Sequence, residues 1–349
     1  MQKGTTLKDI ARIAGVSIRT VSLAVSGEGR MTDETRSRIL TIARNLSYHP
    51  NLAAKGLRMS KSFLIGAVFP FLNVSFFNRI LGGIEQRCFE NGFDILISSP
   101  PPDQNLDLLE PGNPPSRSLD RFIARKVDGI IASPTPSSYV PYRGIIDAGI
   151  PLLQVMTRIP GLAAPFIGVD NELGGRIATR HLINLGHRVI GFLGSSLGEY
   201  PEITQRYQGY LKAFVENGIC VDPESVRMEA GTLLDVEIAC AATNSLLAKV
   251  PAMTAIFAPT DYAALGAIRA CQEAGKRVPE DISVIGFDDI EVATYQIEHP
   301  LTTIAQPKEE LGRMAFDMLN ELMRTGKSMD RIMAPVLVER ATTGRIQHH

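Results

Sequence analysis

Short runs of apolar residues alternate with helical patterns along residues 62–290, and this alternation restricts the fold more than any other feature. Apolar strands separated by helices are typical of a parallel sheet that helices cover on both faces. The predicted strands are residues 63–69, 94–98, 128–132 and 151–155, then 188–193, 255–258 and 282–287, with a helix at 80–89.

The two series of strands predict two α/β lobes, and a chain of 349 residues has room for two or three domains. Ligands of open α/β sheets bind at the carboxyl ends of the strands. A protein with two such lobes therefore has its most favourable binding site in the cleft between them.

The first sixty residues carry the pattern of a small helical bundle. Thr6 is placed to cap a helix that begins at Leu7. Gly15 interrupts this helix, because glycine adopts a left-handed turn without steric cost, and Ser17 caps the next helix. Two short helices joined by a tight turn predict a helix-turn-helix motif, whose second helix enters the major groove. A third predicted helix is capped by Thr32.

Charge is unevenly distributed along the chain. Residues 1–60 hold ten basic and four acidic side chains, a net charge of +6, whereas the whole chain carries −1. A basic N-terminal segment followed by an acidic remainder of the chain favours contact between that segment and a polyanion such as DNA. Charge alone leaves a solvated basic surface open as the alternative.

The second helix supplies candidate contacts to DNA. Arg19 is suited to guanine O6 and N7 in the major groove, and Ile18 to a thymine methyl group. The hydroxyls of Ser17, Thr20 and Ser22 are suited to phosphates, which fix the register and not the sequence. The alternative for each is an ordinary exposed helix residue.

Two segments resemble a known family. Residues 6–22, TLKDIARIAGVSIRTVS, resemble the signature of the lactose/galactose repressor family, and residues 48–57, YHPNLAAKGL, resemble its hinge. The resemblance implies a helical headpiece and hinge helix followed by two α/β lobes of the periplasmic-binding-protein type. It also implies a dimeric transcriptional repressor that binds a palindromic operator and a sugar-like effector. The predicted DNA-binding residues are Thr6, Ser17, Ile18, Arg19, Thr20, Ser22, Leu23, Arg30, Asn51, Ala53, Ala54 and Leu57.

The hinge segment and one position of the second helix show where the chain follows the family pattern and where it departs from it. In the family the hinge folds into a helix on operator DNA, and its leucine wedges into the minor groove. Leu57 matches that leucine, and Gly56 lowers helix propensity by about 1 kcal/mol relative to alanine. Leu23 stands where the family commonly has arginine, so the resemblance is nearer to the maltose-regulon repressor branch. Its operator is therefore expected to differ from those of the arginine-bearing relatives.

The expected domains follow from these patterns. We expect a helix-turn-helix domain at 1–50, a hinge and linker at 51–61, and an effector-binding and dimerisation domain at 62–345. The resemblance implies three crossings between the lobes, which we place near residues 160, 290 and 322. The N-lobe then comprises about 62–160 and 291–322, and the C-lobe about 161–290 and 323–345.

Five residues are candidates for the effector site. Phe76 and Phe77 follow the first strand, where aromatic faces suit a sugar ring or a base, although a packed helix start is equally consistent. Arg206 and Asp288 match family positions that hold ligand hydroxyls. Thr260 replaces the asparagine of the usual Asn-Asp pair, which removes an amide that often touches ligand.

Two other features have a structural interpretation. Residues 98–102 and 111–115 bracket a proline-rich insertion, 98–116, that predicts an exposed loop. The cysteines, at positions 88, 220, 240 and 271, are widely spaced, and we expect buried thiols and no metal site.

The sequence also indicates whether the protein is an enzyme, where it is located and how it assembles. We find no catalytic constellation, and residues 191–198 lack the lysine and spacing of a phosphate loop, so we expect no enzyme and no cofactor. With no secretory signal and no membrane span, we expect a cytoplasmic protein. The absence of leucine heptads after residue 342 favours a homodimer. A solute-binding protein for transport and a sugar-metabolising enzyme are the alternatives.

Overall fold

The computed structural model describes residues 5–27, 29–48, 61–72, 74–99, 114–134, 139–195, 200–229, 233–295 and 299–346. The chain divides into two compact units, residues 1–62 and 63–349. Four predicted hinge residues lie outside the described residues: Asn51, Ala53, Ala54 and Leu57.

The N-terminal unit contains three helices, α1 (Leu7–Ala14), α2 (Ile18–Ser26) and α3 (Asp33–Asn45). The predicted caps are confirmed, because the hydroxyls of Thr6, Ser17 and Thr32 each accept a hydrogen bond from a backbone N–H in the first turn. Gly15 ends α1 in the left-handed conformation, with φ 62°.

A small core holds these helices together. Ile10, Val21 and Ile39, one from each helix, are fully buried. The guanidinium of Arg38 donates a hydrogen bond of 2.9 Å to the carbonyl oxygen of Ala14 at the end of α1. The helix-turn-helix pair is thus fixed by packing and by a bond to an otherwise unpaired helix carbonyl.

The second unit alternates strands and helices. Its elements are β1 (Leu64–Val68), α4 (Ser75–Glu90), β2 (Asp94–Ser98), α5 (Pro114–Ala124), β3 (Gly129–Ala132), α6 (Tyr139–Asp147), β4 (Leu152–Val155), β5 (Phe166–Val169), α7 (Asn171–Asn184), β6 (Ile190–Ser195), α8 (Pro201–Glu216), β7 (Val226–Glu229), α9 (Val236–Lys249), β8 (Ala255–Phe257), α10 (Asp261–Glu273), β9 (Ser283–Asp288), α11 (Glu291–Tyr295), β10 (Thr302–Ala305), α12 (Lys308–Thr325), β11 (Arg331–Met333) and β12 (Val336–Val338).

The strands form two six-stranded sheets, one in each lobe. The N-lobe sheet has the order β11-β5-β4-β3-β1-β2, and all its pairings are parallel. The C-lobe sheet has the order β12-β10-β9-β8-β6-β7, and only β12 runs antiparallel to its neighbour. The strand order reverses at β1 and β3 in one sheet and at β6 and β8 in the other, and such switch points open a crevice for ligands.

The predicted lobe boundaries are wrong by about ten residues or more. β5 pairs with β4, so the N-lobe continues to residue 169 rather than 160. β10 pairs with β9, so the C-lobe continues to residue 305 rather than 290. Helix α12 packs against α4, β3 and β4, and β11 pairs with β5, so the last crossing follows residue 333 rather than 322. The short strands β5 and β10 were not predicted, and sheet pairing determines which lobe they join.

Two smaller expectations also need correction. The segment 98–116 is not a loop throughout, because Ser98 ends β2 and α5 begins at Pro114. Proline is favoured in the first turn of a helix, where its missing N–H has no partner to lose. Among the cysteines, Cys220 is exposed, whereas Cys88, Cys240 and Cys271 are buried as expected.

Within the described residues, no helix combines the length and apolar character that a membrane span requires. In the same part of the chain, no group of three or more His, Cys, Asp or Glu side chains is arranged to hold a metal ion.

Helices α7 and α8 approach each other closely at two glycines. A Cβ on Gly175 would lie 2.1 Å from the carbonyl oxygen of Arg206, and a Cβ on Gly209 would lie 2.1 Å from that of Glu172. Only a hydrogen fits at either position, so this contact determines where the backbone of Arg206 lies.

We predict that Gly175→Ala destabilises the second unit by about 1–3 kcal/mol, because the added methyl forces α7 and α8 apart. The matched control is Gly82→Ala on the exposed face of α4, where an added Cβ meets nothing within 4 Å. This change is expected to stabilise the helix by up to about 1 kcal/mol. Thermal unfolding followed by circular dichroism measures both, and equal midpoints for the two variants would contradict the prediction.

Candidate DNA-reading helix and effector cleft

The start of α2 presents side chains to solvent. Val21 and Ala24 face the core, while Ile18 is 48% exposed and Arg19 is also exposed. An apolar side chain and a guanidinium are therefore available at the amino end of the helix predicted to enter the major groove. Arg30, beyond the end of α2, is exposed as well.

The candidate hydroxyls of this unit also cap helices. Ser17 Oγ accepts a hydrogen bond of 3.0 Å from the N–H of Thr20 and lies 2.8 Å from Thr20 Oγ1. Thr6 Oγ1 donates to Asp9 Oδ2 at 2.7 Å, and this bond lowers the pKa of Asp9 below its usual value. Ser22 is half-buried. Phosphate contacts by Thr6, Ser17, Thr20 and Ser22 stay predictions.

Leu23, the position that departs from the family pattern, is half-buried. A Cβ on Gly29 would lie 3.0 Å from Leu23 Cδ1, so the leucine covers the turn that follows α2. Gly29 has φ 80°, a conformation that favours glycine. Leu23 thus supports the turn that leads to Arg30, and its contact with a base stays a prediction.

All five predicted effector residues line one cleft between the two sheets. Phe76 and Phe77 lie in the first turn of α4, Arg206 on α8, Thr260 before α10, and Asp288 at the end of β9. The other described residues that line it are Pro70, Phe71, Val74, Ser133, Pro134, Met156, Thr157, Tyr200, Glu202, Ile203, Leu233 and Leu234.

The guanidinium of Arg206 is held rigidly, with the residue 4% exposed. Its Nε donates to Asn171 Oδ1 at 2.9 Å, and its Nη1 donates to the carbonyl oxygen of Pro259. Nη1 lies 3.6 Å from Asp288 Oδ1, and the guanidinium carbon stacks 3.7 Å above the centroid of Phe287. Burial lowers the pKa of Arg206, while the nearby carboxylate of Asp288 opposes this shift.

Gln306 and Lys308, in the second crossing between the lobes, hold Asp288 in position. Gln306 Nε2 donates to Asp288 Oδ1 at 2.7 Å, and Lys308 Nζ donates to the carbonyl oxygens of Asp288 and Asp289. These aspartates have φ of 115° and 55°, a strained conformation for residues other than glycine. Burial raises the pKa of Asp288, and Arg206 and Lys308 oppose that shift. A buried ammonium on two carbonyls therefore holds the strained turn that presents Asp288.

Thr260 lines the cleft, but its hydroxyl already has partners. It donates to the carbonyl oxygen of Leu233 at 2.8 Å and accepts from the N–H of Ala263 at 3.0 Å. The adjacent Asp261 is fully buried and accepts from the N–H of Ile290 and the hydroxyl of Thr303. Burial raises the pKa of Asp261 well above its usual value. The Thr260-Asp261 pair thus holds together, by hydrogen bonds, segments that surround the cleft. A contact of Thr260 with effector stays a prediction.

The two phenylalanines of α4 differ in their surroundings. Phe76 is 7% exposed and packs edge-on against Phe77, with ring centroids 5.2 Å apart, as in a packed helix start. Phe77 is half-buried and also contacts Phe69 and Phe71. Phe77 therefore has more ring surface available to a ligand than Phe76.

One polar pair in the cleft was not predicted from the sequence. Thr157, which follows β4 of the N-lobe, donates a hydrogen bond of 2.5 Å to Glu202 Oε1 on α8 of the C-lobe. A signal was present, because Glu202 and Arg206 are four residues apart and residues at that spacing share one helix face. Glu202 and Thr157 thus connect the lobes across the cleft.

Comparison with known proteins identifies both units. Residues 6–51 match the family described as bacterial regulatory proteins, lacI family, and residues 179–343 match a periplasmic binding protein-like domain. The chain is 34% identical over 316 residues to the ribose operon repressor of Haemophilus influenzae, covering 90% of each protein. It is 32% identical over 348 residues to the HTH-type transcriptional repressor PurR of Pasteurella multocida, covering 96% of this chain and 97% of the relative.

The fold agrees with a solved relative. The lac repressor dimer bound to operator and the anti-inducer ONPF matches with a TM-score of 0.82 at 28% identity, covering 98% of this chain and 100% of that chain. The predicted fold class is therefore confirmed, while the nearer resemblance to the maltose-regulon branch stays a prediction. The chain belongs to the lacI family of bacterial regulatory proteins and is a DNA-binding transcriptional regulator.

Proposed function

We propose that this protein is a dimeric cytoplasmic repressor that binds a palindromic operator through its N-terminal unit and a small-molecule effector in its cleft. The observation that carries the effector site is the convergence of Arg206 and Asp288 in one buried cleft beside aromatic rings. Relatives support the kind of ligand, since two are named for cellobiose and ribose complexes and others for ribose operons. A sugar or a sugar derivative is accordingly the proposed effector.

At the DNA end, α2 is the reading helix. Arg19 and Ile18 are exposed at its start, where they are available to a guanine and to a thymine methyl group. The charge of +6 on residues 1–60 supplies the attraction to phosphates that any site on DNA offers. Sequence preference then comes from the few side chains that reach base edges.

The proposed role of the hinge rests on the family resemblance. Leu57 is proposed to wedge into the central minor-groove step of the operator, with Asn51, Ala53 and Ala54 along the same helix. Two headpieces then bind half-sites about one helical turn apart. Effector in the cleft changes how the two lobes pack, and the hinge transmits this change to the operator.

In the cleft, the remaining hydrogen-bonding atoms of Arg206 and Asp288 favour recognition of hydroxyl groups. Among the described residues, Arg206 bonds to the protein through Nε and Nη1, and Nη2 is the atom proposed to donate to a ligand. Within the same residues Asp288 Oδ1 accepts from Gln306, and Oδ2 is the proposed acceptor for a ligand. A donor beside an acceptor suits the adjacent hydroxyl groups of a sugar.

The operator claim is tested by selecting bound sequences from a randomised palindromic DNA library with the full chain. We predict that Arg19→Ala weakens binding to the selected operator by about 1–3 kcal/mol and relaxes preference at one position of each half-site. The matched control is Arg44→Ala, which removes the same charge from an exposed position on α3. It should weaken binding slightly and leave the sequence preference unchanged.

Binding by the Arg19→Ala variant with the same sequence preference as the parent chain would remove Arg19 from the reading surface. Failure of the parent chain to enrich any sequence would contradict the proposed function itself.

The effector claim is tested by a thermal-shift screen of sugars, sugar phosphates and nucleobases, followed by calorimetry on the compound that stabilises the chain most. We predict that Asp288→Asn and Lys308→Met each weaken its binding by about tenfold, because hydrogen bonds to charged groups contribute roughly 1.5–3 kcal/mol. In the lysine variant the lost bonds are those that hold the Asp288–Asp289 turn.

The control for the lysine variant is Lys327→Met, which removes an exposed ammonium beyond α12. It should bind the compound as the parent does. If all four proteins bind it equally well, the compound does not occupy the cleft described here.

A further inference from the structure

The helix α2 lies between two turns that contain glycine. Gly15, before α2, has φ 62°, and Gly27 and Gly29, after it, have φ of 78° and 80°. Glycine adopts this left-handed conformation without steric cost, but it also restrains the backbone less than any other residue. The direction in which α2 leaves each turn therefore depends on contacts that the rest of the N-terminal unit makes with the two turns.

Arg38, on α3, bonds to the turn before α2. Its Nη2 donates a hydrogen bond of 2.9 Å to the carbonyl oxygen of Ala14, the last residue of α1. Carbonyl groups in the last turn of a helix have no partner within the helix, and the helix dipole places partial negative charge there. A guanidinium is therefore well suited to this position. Through it, α3 holds the chain directly next to Gly15.

Arg36, also on α3, bonds to the turn after α2. Its Nη2 donates a hydrogen bond of 3.0 Å to the carbonyl oxygen of Gly29, and the residue is half-buried. On α2, Leu23 lies against the same glycine, because a Cβ on Gly29 would be 3.0 Å from Leu23 Cδ1. The turn is thus held by a hydrogen bond from α3 and by an apolar contact from α2.

We propose that Arg36 and Arg38 are positioning residues for operator recognition, an inference that rests on the proposed operator binding. Side chains that read base edges need to be held to within about 0.5 Å, whereas attraction to phosphates depends mainly on charge. The two guanidiniums hold α2 at both ends and so align the side chains that it presents to DNA. Both belong to the ten basic residues of 1–60, and this role differs from a phosphate contact.

The test compares the full chain with its Arg36→Met and Arg38→Met variants. Fluorescence anisotropy measures binding to the operator selected from the randomised library and to a scrambled duplex of the same length and composition. We expect each variant to bind the operator about tenfold or more weakly, because misaligned side chains lose their base contacts. Binding to the scrambled duplex should stay within about threefold of the parent, since it depends on the total charge.

The salt dependence of operator binding separates this role from a phosphate contact. The logarithm of affinity falls with the logarithm of salt concentration by about 0.9 for each phosphate that a protein neutralises on B-DNA. A dimer has two copies of each arginine, so losing a phosphate contact would reduce this slope by about 1.8. We expect a change of less than about 0.5. A reduction of about 1.8, with equal weakening on both duplexes, would overturn the inference.

The matched control is Arg44→Met, which removes the same charge from the same helix. The guanidinium Nε of Arg44 donates at 3.4 Å to the carbonyl oxygen of Leu40, one turn earlier in α3, and so connects α3 with itself. The ratio of operator affinity to scrambled-duplex affinity should equal that of the parent chain. A ratio that falls as far as in the other two variants would show that charge, and not position, is responsible.

Lysine variants keep the test decisive where a methionine variant loses helical circular dichroism. Arg36→Lys and Arg38→Lys retain the positive charge, and lysine binds a phosphate as a point charge. Lysine has a shorter side chain and lacks the planar fork of arginine, so it does not reproduce the bond to a carbonyl oxygen. We expect the affinity ratio to fall by about threefold or more. Parent-like ratios in both lysine variants would overturn the inference.

Hydrogen exchange of the free chain, followed by mass spectrometry, tests the same role without DNA. Backbone amides of residues 15–20 should exchange faster in Arg38→Met, and those of residues 29–35 in Arg36→Met, because each turn loses a restraint. Unchanged exchange in both variants would overturn the inference.

Failure of this inference and failure of the proposed function give different results. A parent chain that binds both duplexes equally well would contradict the proposed operator recognition. If the parent prefers the operator and the Arg36 and Arg38 variants keep its affinity ratio, operator recognition stands and the positioning role is wrong.

Discussion

The second unit depends on the burial of one guanidinium, that of Arg206. A buried charge is tolerated only when its hydrogen-bonding groups are satisfied and an opposite charge is near. Asn171, the carbonyl of Pro259, the ring of Phe287 and Asp288 meet these requirements together. They come from three segments, namely the start of α7, the turn after β8 and the end of β9, so the position of this one side chain on α8 fixes the relation of all three at the cleft.

The same arrangement connects the proposed ligand site to the crossings between lobes. Asp288 faces Arg206 on one side and is held by Gln306 and Lys308 on the other, and these two residues form the second crossing and the start of α12. Arg206 in turn lies where Gly175 lets α7 and α8 meet. A ligand that alters the Arg206–Asp288 pair therefore acts on the segments that set the relation of the lobes. Such two-sided contacts are what a binding site needs if its occupancy is to bias a global equilibrium.

Local signals in the sequence predicted local structure well. Caps at Thr6, Ser17 and Thr32 identified three helices, and apolar runs identified most long strands. Crossings between lobes were misplaced, because four-residue strands such as β5 and β10 are assigned by pairing with distant strands, which periodicity does not encode. Arg206 and Asp288 came from family resemblance. The spacing of Glu202 and Arg206 places both on one face of α8, so Glu202 could have been predicted. Lys308 acts through the backbone carbonyl oxygens of Asp288 and Asp289, a contact that residue spacing does not encode.

We propose that occupancy of the cleft and operator binding are linked by a single free energy of coupling. The most direct measurement is the affinity of the strongest-binding ligand for the free chain and for the chain saturated with its selected operator. We predict that the two affinities differ by about fivefold or more, and that the ligand changes operator affinity by the same factor, as linkage requires. Equal ligand affinity in the two states would contradict it.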